Sequence, residues 1–257
     1  MKLATWNVNS LNVRLPHLLD WLATQQPDAL VLQETKLTDD KFPQAELAAA
    51  GWQAVWFGQK TYNGVALLTR AGTAVDGVVK NIPGFADEQA RVIAGSVNGL
   101  RVVGGYFPNG QAPDSDKFVY KMKWLQALQD WLATELQQHE QLVLMGDFNI
   151  APEDRDVYDP VAWAGQIHCT PEERAHFQAL LGLGLVDAFR LFEQPPKSWS
   201  WWDYRNLAFR KNQGLRIDHI LVSAALKGRV QACVIDKAPR KLERPSDHAP
   251  VVVEIGP

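Results

Sequence analysis

The chain has 257 residues, 46% of them hydrophobic and 21% charged, the balance of an ordinary folded protein with enough apolar material for a sizeable core. A formal net charge of −3 excludes general attraction to polyanions, so any nucleic-acid contact has to come from a local basic surface. The two cysteines, Cys169 and Cys233, are far apart without a Cys-x-x-Cys, which argues against a zinc site, a redox motif or a disulfide framework.

No Pro/Gly/Ser-rich linker or charge block divides the sequence, and a single domain over residues 1–257 is expected. The opening segment from Met1 is too short an apolar run for a signal peptide, and nowhere do about 18 apolar residues run together. The expectation is a cytoplasmic protein in a reducing compartment, with no membrane partner. The ten tryptophans are an unusual number: several have to pack in the core and others can stack on a ligand.

Lys2 to Trp6 predicts a strand that ends in Asn7, Asn9 and Ser10. Leu15, Leu18, Leu19 and Leu22 recur at helical spacing, and Pro27 closes that helix. Ala29 to Gln33 predicts a second strand, ending in Glu34. Trp52 to Phe57 and Gly64 to Leu68 predict strands on either side of a polar loop. Val92 to Val97 and Arg101 to Tyr106 flank Asn98-Gly99, a strong hairpin signal, and the second of these runs ends in a phenol. After a loop of turn formers, Phe118, Met122, Leu125, Leu128, Leu132 and Leu136 mark the apolar face of a long helix from Asp116 onward, and they read as core.

Leu142 to Ile150 begins as a buried strand and breaks at Gly146 into Asp147 and Asn149. Side chains alternate along an extended segment, so this carboxylate and this amide project the same way. Taken singly, these residues describe a turn, Glu34 a solvated surface acid and Tyr106 a half-buried core phenol. Their recurrence at strand ends sets them apart. The acids of 152–160 would repel a phosphate backbone and are assigned to solvent. Thr170, Pro171, Glu172 and Glu173 form a helix start, and His168 just before it reads as an exposed loop residue.

From Lys197 to Arg216, five cations face a single acid and are interleaved with Trp199, Trp201, Trp202, Tyr204 and Phe209, a combination suited to a phosphate backbone and a base or sugar face. The next strand, Arg216 to Val222, carries Asp218 among apolar neighbours, where a carboxylate needs a partner. His219 points to the other side and reads as structural. Ser246-Asp247-His248 precede a final strand, Pro250 to Ile255.

The strand-end groups are therefore Asn7, Glu34, Tyr106, Asp147, Asn149, Asp218, Asp247 and His248. Four carboxylates brought together repel unless a cation neutralises some of them or a histidine pairs with one. An all-oxygen set without cysteine suits Mg²⁺ or Mn²⁺, and such a site hydrolyses phosphate esters with an activated water.

Six motifs carry a resemblance to a known family: Trp-Asn-Val-Asn-Ser-Leu with Arg14, Leu-Gln-Glu-Thr-Lys at 32–36, Gly-Val-Ala-Leu-Leu at 64–68, Gly-Asp-Phe-Asn-Ile at 146–150, Gly-Leu-Arg-Ile-Asp at 214–218 and Ser-Asp-His-Ala-Pro at 246–250. In order and spacing over nearly the whole chain they resemble the exonuclease III class of AP endonucleases, within the endonuclease/exonuclease/phosphatase superfamily. The resemblance implies an α/β (α+β) four-layered sandwich, two central mixed β-sheets flanked by helices, with the site at one edge.

It further implies that Glu34 is the main metal ligand, with Asn7 and Asp247 nearby, and that Asp147 activates water while Asn149 orients it. His248 would pair with Asp218 and face the scissile phosphate. Tyr106 would contact it or help deprotonate around it, and whether Tyr106 or Asp147 takes the proton stays open. Trp201 falls at an aromatic wall for a flipped-out abasic sugar, completed by Leu215 and Ile217, and Arg205 belongs to the same DNA-binding stretch. Two positions depart from relatives: Asn9, where some have an aspartate, and His168, where relatives that cut inside duplexes can carry a very small residue. His168 is expected to narrow the path of the continuing strand and favour 3′ ends. The implied activity is Mg²⁺-dependent hydrolysis on double-stranded DNA with abasic or 3′-end damage, by a monomer. The competing expectations are a phosphatase of phosphorylated lipid or inositol and a non-catalytic DNA-binding module.

Overall fold

Two sheets lie at the centre of the molecule, and each has to bury both faces because its inner strands are apolar on both sides. The structure is a computed structural model that describes residues 1–257. Strands β1 (Lys2–Asn7), β2 (Ala29–Gln33), β3 (Trp52–Phe57) and β4 (Val65–Arg70) belong to the first sheet. The next six, β5 (Asp76–Lys80), β6 (Val92–Val97), β7 (Leu100–Tyr106), β8 (Leu142–Asp147), β9 (Leu185–Asp187) and β10 (Asp218–Ser223), form the second. The last two, β11 (Val230–Ile235) and β12 (Val251–Ile255), return to the first sheet.

The spatial orders are β11-β12-β1-β2-β4-β3 and β5-β6-β7-β8-β10-β9. Each sheet is mixed, with one parallel pair at its centre, β1 with β2 and β7 with β8, and antiparallel neighbours outside it.

Strand alternation divides the apolar residues between layers. Leu3, Val31 and Leu67 of one sheet meet Ile93, Val102, Val143, Met145 and Ile220 of the other in the central core. The opposite faces take the helices. Trp6, Leu30, Leu32 and Leu68 pack against α1 (Leu11–Gln25) and α2 (Gln44–Ala49), whereas Val103, Leu144 and Leu221 pack against α3 (Asp116–Gln138) and α4 (Pro171–Gly182). Helix, sheet, sheet and helix make the four layers.

Local chemistry sets the boundaries of these elements. Ser115 caps α3 by accepting from Phe118 N, and Thr170 with Glu173 closes a reciprocal capping box on α4. Asn98 and Gly99 turn the β6–β7 hairpin with φ of 50° and 81°, as a primed two-residue turn requires. Strands β5, β9 and β11 have no counterpart among the sequence expectations; β5 is mostly exposed and β9 is only three residues long, so neither offers a periodic apolar signal. No helix is long and apolar enough to cross a membrane.

This topology converges chemistry on one edge. The carboxyl ends of the four central parallel strands lie together and deliver Asn7, Glu34, Tyr106 and Asp147. The antiparallel strands β10 and β12 begin at that same edge, with Asp218 and, just upstream, His248. Register fixes two of the meetings: Tyr106 and Asp218 are the β-partners of Asp147 on either side.

Candidate active site

Asp147 ends β8 with a backbone that only glycine could precede. A Cβ on Gly146 would lie 1.8 Å from the Gly105 carbonyl oxygen of the neighbouring strand. Past Asp147 the chain turns through Asn149, whose backbone is left-handed with φ of 51°, and its N–H donates to Asp147 Oδ1 at 2.9 Å. Glu34 and His168 are also left-handed, at φ of 53° and 73°, so three of the expected site residues hold a conformation that non-glycine residues rarely adopt.

Burial isolates Asp147, Asp218 and His248 from water. His248 Nδ1 lies 2.9 Å from Asp218 Oδ2, and its Nε2 lies 3.6 Å from Asp147 Oδ2. Burial alone would lower the imidazole pKa, but Asp218, Asp147 and Asp247 together raise it to about 10, so His248 is an imidazolium at neutral pH. Asp147 is pushed up by burial, with Asp218 and Glu34 adding to the shift and His248 and the Asn7 amide opposing it. Burial raises Asp218 as well, against the pull of His248. Tyr106 is driven well above the usual phenol range by burial and by the charges of Glu34 and Asp147, so it remains a donor. The Arg91 guanidinium stands 5.0 Å from the Tyr106 ring centre.

Asn7 Nδ2 bridges two carboxylates, 2.9 Å from Glu34 Oε1 and 2.9 Å from Asp147 Oδ2, while its Oδ1 accepts from Asn9 N. Asn7, expected near the metal, thus sits between these two carboxylates with its amide NH₂ as the donor. Glu34, Asp147 and His248 each offer a ligand atom within 4.8 Å of the others. With His248 charged and engaged by Asp218, the donors left for a cation are the carboxylate oxygens of Glu34 and Asp147. That hard, charge-crowded pair fits a metal ion. Lys36 shares Glu34 from the other side at 2.9 Å and donates to Asn9 Oδ1 at 2.6 Å.

Asp247 lies outside this group. Its Oδ1 accepts from Asn9 Nδ2 at 2.9 Å and its Oδ2 from Trp201 Nε1 at 3.0 Å, so the carboxylate expected near the metal also orients the Trp201 indole. Leu215 and Ile217, expected to complete an aromatic wall with Trp201, are both sealed in a small cluster that packs against it.

The Trp-rich stretch separates into core and surface. Trp199 and Trp202 are buried, Trp201 is half-buried, and Tyr204 is 52% exposed. Arg216 is not part of a basic surface, because its guanidinium is buried between Asp156 and Asp187. Asp156, assigned to solvent with its loop, is thereby a core residue, while Glu153, Asp154 and Asp159 are exposed. Arg205 is exposed and pairs with Asp203.

His168 departs most from expectation. It is buried, its ring centre 6.2 Å from Trp163 and 6.3 Å from Trp201, and its Nδ1 lies 2.8 Å from the Asn149 carbonyl oxygen. Beside Tyr106 a groove of about 660 Å³ opens, lined by Tyr62, Arg91, Asn109, Lys117 and Tyr120 among others.

Sequence reasoning passed over Asn109, Lys36, Arg91 and Lys121. Asn109 looked like a turn former, yet its Nδ2 is 3.4 Å from Asn149 Oδ1. Lys121 left a readable signal: it stands three residues after Phe118 and four before Leu125, on the apolar face of α3, where an ammonium needs a buried partner.

A profile of the endonuclease/exonuclease/phosphatase family matches residues 4–248. Exodeoxyribonuclease III of Haemophilus influenzae is 38% identical over 99% of both chains. Among solved structures, the 3′-5′ exonuclease NExo from Neisseria meningitidis superposes with a TM-score of 0.97 at 51% identity over all of both chains. NExo has also been solved as a 3′ phosphatase bound to a product DNA hairpin. An AP endonuclease from Archaeoglobus fulgidus gives a TM-score of 0.94 at 34% identity over 99% of each chain. The converged strand ends, the His248–Asp218 pair and these full-length likenesses lead to one assignment: this chain belongs to the exonuclease III class of AP endonucleases, metal-dependent hydrolytic nucleases of the endonuclease/exonuclease/phosphatase family.

Proposed function

We propose that this protein is a Mg²⁺-dependent DNA repair nuclease that breaks the bond between phosphorus and O3′. That one reaction removes a 3′-phosphate, trims a nucleotide from a 3′ end, or incises 5′ to an abasic site, and each leaves a 3′-hydroxyl. The observation that carries the proposal is His248 held between Asp218 and Asp147, with Glu34 within ligand distance.

In this reading Asp147 takes a proton from the attacking water. Burial has raised its basicity, and the Asn7 and Asn149 N–H groups hold its two oxygens in place. The water oxygen bonds to phosphorus as the P–O3′ bond breaks, and O3′ leaves with the bond's electron pair and takes a proton from solvent to become a hydroxyl. His248, kept protonated by Asp218, donates Nε2–H to a phosphoryl oxygen where charge develops. Tyr106 donates as a neutral phenol and leaves the base role to Asp147. Asn149 and Asn109 place two amides on the same side. Mg²⁺, or Mn²⁺ in its place, would be held by Glu34, beside the Asp147 base, and would add positive charge at the phosphoryl oxygens.

The DNA path runs past Trp201, whose indole is fixed by Asp247 and so offers a preset wall for the sugar. Leu215 and Ile217 support that wall from behind. Arg205 and the groove beside Tyr106 supply cationic and aromatic contacts to the strands on either side. His168, wedged between Trp163 and Trp201, occupies room that a continuing strand needs, and biases the enzyme toward 3′ ends.

A labelled duplex set carrying an abasic site, a 3′-phosphate or a plain recessed 3′ end tests the proposal, with Mg²⁺ and then with chelator. Mg²⁺-dependent release at the 3′ ends is expected, with weaker abasic incision. Binding without cleavage would mark a non-catalytic module. Turnover of an inositol phosphate without DNA cleavage would mark a phosphatase.

A further inference from the structure

Beneath the two loops that carry Asn109 and Asn149 lies a lysine ammonium with no access to water. Lys121 Nζ donates to the Asn149 carbonyl at 2.8 Å, to the Asn109 carbonyl at 3.2 Å and to Glu173 Oε1. Lys121 and Glu173 side chains are both 0% exposed. Three ammonium protons thus meet three acceptors, leaving none unpaired. Glu173 is itself saturated, accepting from His168 N, Thr170 N and Thr170 Oγ1.

The arrangement reaches both reactive loops. Gly110, at φ of 88°, lies against the Lys121 stem so closely that a Cβ there would come within 3.0 Å of its Cδ. The Asn149 carbonyl uses its second lone pair on His168 Nδ1. A carbonyl oxygen only accepts, so Nδ1 carries the proton and Nε2 of the neutral ring is bare. Burial and the Lys121 charge push the His168 pKa down to about 4, in keeping with that neutral form.

We propose, on the DNA-hydrolase reading above, that Lys121 is a positioning residue: its buried ammonium, countered by Glu173, pins the Asn109 and Asn149 loops at the reacting phosphate and fixes His168 in its Nδ1–H tautomer. A single charge thereby orders the two amides of the reaction and the side chain that narrows the DNA path. Arg101 and Glu135 provide the contrast. They form another buried pair anchored on α3, at 2.6 Å, but touch none of the site residues.

The double variant Lys121→Met/Glu173→Gln removes both charges, so neither is left buried alone. On the 3′-phosphate duplex its kcat should fall roughly tenfold to a hundredfold, the scale of a misplaced reacting group, with KM changed by less than about threefold. Arg101→Met/Glu135→Gln should lose comparable thermal stability and keep kcat within about twofold. A folded Lys121→Met/Glu173→Gln with parental kcat, or a matching kcat loss in the Arg101 pair, would overturn the proposal. In Lys121→Met the His168 pKa, followed by NMR, should rise, because Glu173 and the Asn149 carbonyl then act without the opposing cation. A His168 pKa that stays in place would refute the link to the histidine. Failure of the parent to cut DNA would instead remove the functional reading, and the NMR titration, which needs no substrate, would still decide that link.

Discussion

His248 Nδ1 sits 2.9 Å from Asp218 Oδ2, and both groups are sealed from solvent. Of the anions that hold the imidazole up against burial, Asp218 acts most strongly, ahead of Asp147 and Asp247, and together they take it to about 10. An activity that needs the imidazolium must therefore fall as pH rises through that value. Asp218→Asn removes the nearest negative charge, so the alkaline limb of the kcat/KM profile should move to lower pH, by roughly one unit or more. The sign for stability is the same. A raised histidine pKa stabilises the fold fully below its ordinary value of 6.5, and this contribution is lost as pH climbs toward about 10. A parental alkaline limb in Asp218→Asn would show that His248 does not act as the charged donor.

Glu34 and Asp147 form a pair that a bound cation should stabilise measurably. At a hundred times its dissociation constant a ligand adds about 2.7 kcal/mol, which for a chain of this size corresponds to a Tm rise on the order of 5 °C. Calorimetry with and without Mg²⁺ should show that rise, and chelator should reverse it. Glu34→Gln should abolish it. The Lys36–Glu34 ion pair is lost in that variant too, but it is partly exposed and contributes little by itself. A Glu34→Gln protein with the parental response to Mg²⁺ would move the cation to other ligands.

Long strands with apolar runs, and the polar residues that end them, were legible because side-chain alternation and turn chemistry are local. Asn7, Glu34, Tyr106 and Asp147 could thus be singled out before their meeting was visible. What stayed hidden depended on partners distant in sequence. Arg216 looked like a surface cation until Asp156 and Asp187 enclosed it. His168 looked exposed because part of its cover, Trp201, comes from the distant Trp-rich stretch and closes over it opposite Trp163 of its own loop. The hydrogen bond from the Trp201 indole to Asp247 left no sign in the sequence either. Residue type reported the chemistry available, and only the fold decided which side chain spends it on structure.

Arg216 offers a direct check on that distinction. Its guanidinium donates to Asp156 Oδ1 at 2.7 Å and Asp187 Oδ2 at 2.8 Å, with the Phe189 ring 5.0 Å away. Arg216→Met would strand the Asp187 carboxylate and leave Asp156 with Arg190 alone, a loss of about 3–5 kcal/mol for a broken buried pair. The urea midpoint should fall accordingly. In the fraction that remains folded, the salt dependence of DNA binding should match the parent, since no phosphate contact has been removed. A shallower salt slope would return Arg216 to the DNA surface.

In the proposed function His168 selects among DNA ends through bulk and not through charge. Its ring fills the space between Trp163 and Trp201, and with its pKa pushed down to about 4 by burial and Lys121 it is uncharged at any working pH. His168→Gly suits the backbone, since φ of 73° is a conformation glycine adopts freely. It removes the obstruction together with the Nδ1–Asn149 hydrogen bond. Abasic-site incision relative to 3′-phosphate removal should then rise by roughly tenfold or more, equivalent to about 1.4 kcal/mol of relieved crowding. In the parent the same ratio should be flat from about pH 6 to pH 9, because no imidazole proton is gained or lost there. A ratio that bends near the ordinary histidine pKa would make the discrimination electrostatic, and a His168→Gly enzyme with unchanged abasic incision would show that this ring does not narrow the path.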